Sequence, residues 1–173
     1  QLKIGNGLEE GVNCGPLING EAVQSVEAFL ADAVAKSATV VSGGNRPQGF
    51  EKGFFFEPTV LTNISPLARL TCEEVFGPLM PLFSFKTTEE ALSLANKTIY
   101  GLASYLFTKD LGIALQVAEE LEFGLVGVND MIIATAEAPF GGMKESGQGR
   151  EGAIEGLEAF LETKYVALGL KAL

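Results

Sequence analysis

Histidine is absent from the 173 residues. With it go the imidazole base of Ser–His and Cys–His chemistry and the commonest zinc ligand. Only two cysteines are present, Cys14 and Cys72. They are too few and too far apart for a disulfide framework or a thiolate metal set, so no metal site is expected. Such cysteine usage fits a reducing compartment, and a cytoplasmic location is expected. Positive charge is scarce: 12 Lys and Arg stand against 22 Asp and Glu, a net charge of −10. That balance repels nucleic acid and anionic membrane alike, so neither is expected as a partner. No apolar run approaches the roughly 18 residues that a membrane-spanning helix needs. The opening, residues 1–7, shows neither an initiator Met nor a signal-peptide pattern, and it reads as a chain entered partway.

What is present is enough apolar material for a real core. Hydrophobic residues make up 47% of the chain, and the length is that of about one domain. A compact chain of this size buries on the order of 70% of its unfolded surface. Disorder is therefore not expected.

The pattern along the chain is that of an α/β protein. Val26, Phe29, Leu30, Ala33 and Val34 share one face at helical period, which predicts a helix over residues 21–36. Thr39–Val41 reads as a short buried strand, and 54–64 as an extended segment interrupted by Pro58. Leu79–Phe85, Leu102–Phe107 and Gly124–Val128 are predicted strands. A helix begins at a capping box formed by Thr87 and Glu90, with Ala91, Leu94 and Ala95 on one face. Asp110 is the expected N-cap of another helix, whose Ala114, Val117, Ala118 and Leu121 share a face. Strand, helix, strand, helix, strand at this spacing predicts a parallel sheet with flanking helices. Residues 130–152 are glycine-rich and loop-like, a short helix is expected at about 153–161, and an extended tail runs over 163–170.

Few motifs carry chemistry on their own. Gly147, Gly149 and Gly152 match G-x-G-x-x-G, but the dinucleotide fingerprint needs a hydrophobic strand directly before it. Residues 141–146 cannot be that strand, so a glycine-shaped loop is the better reading. An independent nucleotide-binding module would rest on that motif alone. Cys72 precedes Glu73 and Glu74, whose charges disfavour a thiolate. It and Cys14 read as ordinary structural thiols, Cys72 buried or semi-buried.

Glu73–Pro78 joins two carboxylates, a phenylalanine and a rigid Gly-Pro turn ahead of a strand. A carboxylate on such a loop can accept hydrogen bonds from vicinal ribose hydroxyls, and the ring of Phe76 can lie against a flat cofactor. On physics alone, a solvated acidic edge with Phe76 in the core is the stronger alternative. Phe140, between Pro139 and Gly141-Gly142, either lines an apolar pocket or anchors a buried turn. Lys144, Glu145, Arg150 and Glu151 read as surface or ion-pair residues.

Taken together, these segments resemble the aldehyde dehydrogenase superfamily over essentially the whole chain. The matching runs are Gly15–Asn19, Glu57–Val60, Glu73–Pro78, Tyr100–Ala103, Phe107–Asp110, Gly127–Asn129, Pro139–Gly142 and Ser146–Glu151. Their order and spacing resemble the last third of such an enzyme. The resemblance implies NAD or NADP as cofactor, with Glu74 on the nicotinamide ribose and Phe76 near the nicotinamide. It also implies that Phe140 lines the substrate tunnel.

Residues 158–170 and 138–147 look most like the succinate-semialdehyde dehydrogenase branch. Where that branch commonly presents a serine, six residues before the tunnel phenylalanine, this chain has Ala134 with Thr135 beside it. Ala134 and Thr135 are therefore expected at the substrate carboxylate, with Thr135 as the substitute hydroxyl. Glutarate semialdehyde or a non-carboxylated aldehyde are the alternative substrates.

In the family a cysteine thiolate adds to the aldehyde, hydride passes to NAD(P)+, and a glutamate-activated water hydrolyses the thioester. The cysteine, the glutamate and the nucleotide-binding domain lie in the family upstream of this stretch. No catalytic residue is thus expected in the chain, and by itself it should oxidise no aldehyde. The expected partners are the rest of the parent enzyme, its aldehyde, and a second copy through residues 163–170. The resemblance divides the chain into residues 1–158, the C-terminal part of the catalytic domain, and 159–173, an oligomerisation segment. The rival from another class is a truncated, non-catalytic assembly or binding module.

Overall fold

The computed structural model describes residues 2–50 and 52–169. The chain forms two compact units, residues 1–84 and 85–173.

In the first unit, helix α1 spans Gly20–Ala35. Asn19 caps it, its side chain accepting from the Ala22 N–H at 2.9 Å, which satisfies one of the orphan donors of the first turn. The helix ends as the chain turns at Ser37, whose φ is +74°. Its buried face is Val23, Val26, Phe29 and Ala33. That face packs against a three-stranded sheet in the order β1 (Thr39–Ser42), β2 (Thr59–Thr62), β3 (Leu79–Pro81). β1 runs antiparallel to β2 with an irregularity between Val40 and Ser42, whereas β2 and β3 are parallel.

Strand β2 lies in the middle and alternates buried and half-buried residues. Its Leu61 is fully buried, among Phe56, Leu70, Leu79 and the α1 face. Burying one large aliphatic side chain contributes on the order of 1.5–3 kcal/mol. The expectation of a buried strand at 39–41 is corrected: every residue of β1 is exposed, because β1 is the edge of the sheet and α1 covers the middle.

One buried polar side chain belongs to this core. The Thr59 hydroxyl donates to the Glu57 carbonyl at 2.7 Å and accepts from the Gly44 N–H at 2.8 Å. It ties the loop after β1 to β2.

The second unit contains helix α2 (Thr88–Asn96), strand β4 (Ala103–Leu106), helix α3 (Leu111–Glu120) and strand β5 (Leu125–Val128). β4 and β5 are parallel, in register from Ala103 opposite Leu125 to Leu106 opposite Val128. The connection between them is α3, as a parallel pair requires. Asp110 caps α3 by accepting from the Ile113 N–H at 3.0 Å.

At α2 the Thr87 hydroxyl accepts from the Glu90 N–H at 3.2 Å. Glu90 reaches back to the Lys86 N–H at 2.8 Å, so the capping box closes one residue earlier than its usual partner. The core here is Leu92, Val117 and Leu121, with Leu106, Phe123 and Val126 against it. The expected α2 face is corrected: Leu92 is buried and Leu94 is 45% exposed, because Val117 and Leu121 of α3 pack against Leu92.

The fold is thus α/β, with helices flanking sheets. The expected run of three parallel strands is divided, β3 pairing with β2 and β4 with β5. Beyond β5 the chain forms the loop anticipated there, with a 3-10 turn at Lys144–Ser146 and a four-residue helix, α4, at Glu155–Glu158. Residues 161–169 have no assigned helix or strand and are exposed, and Leu170 of the anticipated tail lies outside the described residues. Among the described residues no helix is long and apolar enough to cross a membrane.

Candidate functional site

In the first unit a 3-10 turn, Arg69–Thr71, leads into the loop 72–78 just ahead of β3. Two attachments hold this segment to α1. The Arg69 N–H donates to Asp32 at 2.8 Å, and the Arg69 guanidinium lies over the Phe29 ring at 4.6 Å from its centroid, a favourable cation–π placement. The guanidinium forks onto Glu73 through bonds of 2.8 and 2.7 Å. This pair holds the Glu73 carboxyl below its ordinary value, the guanidinium hydrogen bond being the main cause. Asp32 is lowered as well, first by its hydrogen bond from Lys36 and then by the Arg69 N–H.

The two adjacent acids are therefore not equivalent. Glu73 is committed to Arg69, whereas among the described residues Glu74 has no hydrogen-bonded or ion-paired partner. Phe76 adopts φ +44° and is 86% exposed, so the alternative that places it in the core is set aside. A left-handed backbone at an aromatic residue persists only where its surroundings impose it. The imposing contact is at Gly77, where a Cβ would stand 2.3 Å from Val26 Cγ2 of α1. The glycine presses backbone against helix, and the preceding ring swings outward.

Cys72 is exposed, which corrects the expectation of a buried or semi-buried thiol. It terminates the 3-10 turn, with Sγ 3.4 Å from the Arg69 carbonyl oxygen.

The remaining expected site residues lie in the second unit. Ala134 and Thr135 are exposed on the loop after β5. Phe140 is half-buried and pairs with Glu151 in an isolated antiparallel bridge, with N–H to carbonyl distances of 2.8 and 2.7 Å. It helps line a concavity of about 650 Å³ shared with Leu102, Ser146, Arg150, Leu157 and Phe160. Ala134 and Thr135 do not line that concavity.

The loop is held from both sides. Lys144 donates to the carbonyls of Asn96 and Thr98 at 2.8 and 3.2 Å and pairs with Glu122 at 2.7 Å. Arg150 donates to the Gly142 carbonyl at 2.9 Å. Gly147, Gly149 and Gly152 all have positive φ and follow a 3-10 turn rather than a strand, in keeping with a glycine-shaped loop.

Arg69 was not among the residues that sequence reasoning singled out. Its i, i+4 spacing to Glu73 was the available signal, but the segment shows no helical periodicity to give that spacing weight.

The first unit thus offers a carboxylate and an aromatic ring outward on the loop ahead of β3, and the second, described by itself, holds an aromatic on a braced turn. The aldehyde dehydrogenase family model matches residues 1–166. The mitochondrial succinate-semialdehyde dehydrogenase of Oryza sativa subsp. japonica is 53% identical over 97% of this chain and 32% of its own length. The glutarate-semialdehyde dehydrogenase of Pseudomonas aeruginosa is 51% identical over 98% of this chain and 35% of its own. Among solved structures, an E. coli NADP-dependent enzyme superposes with a TM-score of 0.92 at 48% identity, covering 98% of this chain and 35% of that one. The chain belongs to the aldehyde dehydrogenase family. It spans about a third of the length of the curated relatives it matches.

Proposed function

We propose that this chain supplies the cofactor- and substrate-contacting loops of an NAD(P)+-dependent semialdehyde dehydrogenase, with succinate semialdehyde as its first substrate. In that reading Glu74 accepts hydrogen bonds from the nicotinamide ribose and Phe76 packs beside the nicotinamide. Phe140 walls the aldehyde site, and Thr135, next to Ala134, supplies a hydroxyl for the distal carboxylate.

The observation that carries the reading is the asymmetry of the acidic loop. Glu73 is held by Arg69, and Glu74 stands next to a ring that is 86% exposed. Among the described residues Glu74 has no partner and the Phe76 ring is not covered, and a flat cofactor with vicinal hydroxyls satisfies both. Oxidation runs through a nucleophilic cysteine, an oxyanion site and a general base contributed by other parts of the parent protein. Neither Cys72 nor Cys14 takes that role. Residues 1–158 act with the rest of the catalytic domain, and 159–173 assemble copies, residues 163–170 pairing across a subunit interface. The proposed compartment is the cytoplasm.

Steady-state kinetics of the full-length protein against succinate semialdehyde, glutarate semialdehyde and a plain aliphatic aldehyde, each with NAD+ and NADP+, test the reading. Preference for a carboxylated semialdehyde supports it. Equal kcat/KM for the plain aldehyde removes the substrate assignment. Oxidation by the isolated chain of 173 residues would show that the chemistry resides here after all.

A further inference from the structure

We propose that Arg69 is a positioning residue for the dinucleotide: by engaging Glu73 and the Phe29 ring together, it fixes the loop so that Glu74 is the carboxylate of the pair left free to accept. This rests on the reading that Glu74 contacts the nicotinamide ribose.

The argument starts from an ambiguity that two neighbouring carboxylates create. Either could accept from ribose hydroxyls, and a loop free to rotate by one residue would offer each part of the time. The Arg69 fork biases that choice, because each Glu73 oxygen already accepts a guanidinium N–H, at 2.8 and 2.7 Å, while no such partner occupies Glu74 among the described residues. The fork is anchored, since the same guanidinium sits 4.6 Å above the Phe29 ring and Phe29 is 4% exposed in the core. The Arg69 backbone is anchored too, by the Asp32 bond from the last turns of α1 at 2.8 Å.

Further along, the Glu73 N–H donates to the Arg69 carbonyl at 2.8 Å, so side chain and main chain of the two residues are joined twice. At the far end Gly77 lies flush on Val26, leaving no room for the loop to slide. A planar five-donor guanidinium suits this combined task, because it can fork and stack at once. The loop is thereby held before cofactor arrives, and the ordering cost of binding falls.

The test uses the full-length enzyme. Arg69→Met keeps a flexible side chain over Phe29 but removes the fork, and Glu73→Gln removes the charge from its other end. Arg46→Met is the control, since Arg46 makes a comparable exposed fork to Glu27, at 2.8 and 3.2 Å, and does not bond to the loop 72–78. Dissociation constants for NADH and NADPH are measured by isothermal titration, alongside aldehyde KM and thermal midpoint.

Arg69→Met and Glu73→Gln are each expected to weaken dinucleotide binding on the order of fivefold, as befits a partly exposed ion pair. Together they should be no worse than either alone. Aldehyde KM should stay at its wild-type value, and Arg69→Lys should recover part of the loss. Wild-type dinucleotide affinity in either single variant, while Glu74→Gln weakens it, overturns the proposal and leaves the assignment of Glu74 standing. An equal loss in Arg46→Met also overturns it, because the effect would then follow general stability. If Glu74→Gln itself binds dinucleotide normally, the assignment of Glu74 fails, and the positioning role fails with it.

Discussion

Replacing Gly124 by alanine puts a methyl group into space already occupied by backbone. An ideal Cβ there would stand 1.7 Å from the Gly141 carbonyl oxygen, 2.8 Å from the Gly141 carbonyl carbon and 3.1 Å from Gly142 Cα. Restoring even a 3.0 Å separation from that oxygen requires a movement of 3.0 − 1.7 = 1.3 Å. No rotamer change can supply it, because the obstructing atoms belong to the main chain. Gly124 cannot easily retreat, since its N–H donates to the Gly101 carbonyl at 2.9 Å and the same carbonyl accepts from Met143 at 2.8 Å.

The turn carrying Phe140 must therefore lift. Overpacking of this kind costs roughly 1–3 kcal/mol, and a displacement of about 1 Å in a substrate wall can cost on the order of 10²-fold in rate. In the full-length enzyme, Gly124→Ala should lower kcat/KM for the aldehyde by roughly tenfold or more. The thermal midpoint should fall, and NAD(P)H affinity should stay unchanged, because Glu74 and Phe76, the residues proposed to contact the dinucleotide, are carried by the other unit. Gly15→Ala is the matched control, with nothing within 4 Å of the added carbon. Wild-type aldehyde kinetics and an unchanged midpoint in Gly124→Ala would refute the claim that this glycine seats the Phe140 turn.

Three further outcomes are expected. Thr59→Val keeps shape but leaves the Gly44 N–H and the Glu57 carbonyl without their partner in a residue only 1% exposed. Chemical denaturation should show a loss of roughly 1–3 kcal/mol, and a neutral result would mean that water replaces the hydroxyl. Leu61→Ala, at a position with no exposed surface, should cost about 2–5 kcal/mol by the same measurement. The Glu73 and Asp32 carboxyls are held below their ordinary values of 4.5 and 3.8. Their contribution to stability is therefore complete above those values and is lost as pH falls through the lowered ones. Thermal midpoints between about pH 7 and pH 3 should decline less steeply in Glu73→Gln than in the wild type, and identical slopes would count against the Arg69 pair.

Local signals recovered most of the elements because their causes are local. Asp110 and Thr87 cap helices by reaching N–H groups three residues ahead, and a single sequence displays that spacing. The α3 face of Ala114, Val117 and Leu121 was legible for the same reason.

The misreadings come from partners remote in sequence. Whether Leu92 or Leu94 points inward depends on where Val117 and Leu121 of α3 lie, and spacing within α2 does not show that. Val40 and Val41 look like a buried strand until β2, not β1, proves to be the middle of the sheet. Glu73 and Glu74 are indistinguishable by type, and only the position of Arg69 above Phe29 separates them. Strand partners failed likewise: alternation of strands and helices predicts parallel pairing but says nothing of which neighbours share a sheet.

The two loops that carry candidate site residues, one in each unit, solve the same mechanical problem. An aromatic ring offered to a ligand gains nothing from its own burial, so something else must hold its backbone still. In the first unit the residue after Phe76 is a glycine with no space for a Cβ, its Cα pressed toward Val26. In the second, the Gly141 carbonyl following Phe140 sits against Gly124, just before β5, closer than any side chain would permit. Each ring is thus fixed by what the adjoining backbone lacks. The glycine that follows Phe140 in sequence is crowded as well, since a Cβ on Gly141 would stand 2.5 Å from the Gly149 carbonyl oxygen. This arrangement separates two failures that are easily confused: removing either ring should weaken a ligand contact, whereas filling either glycine should displace a ring that is still present. Phe140→Ala and Gly124→Ala would then share a kinetic defect, but only the second should introduce backbone strain and crowd the turn.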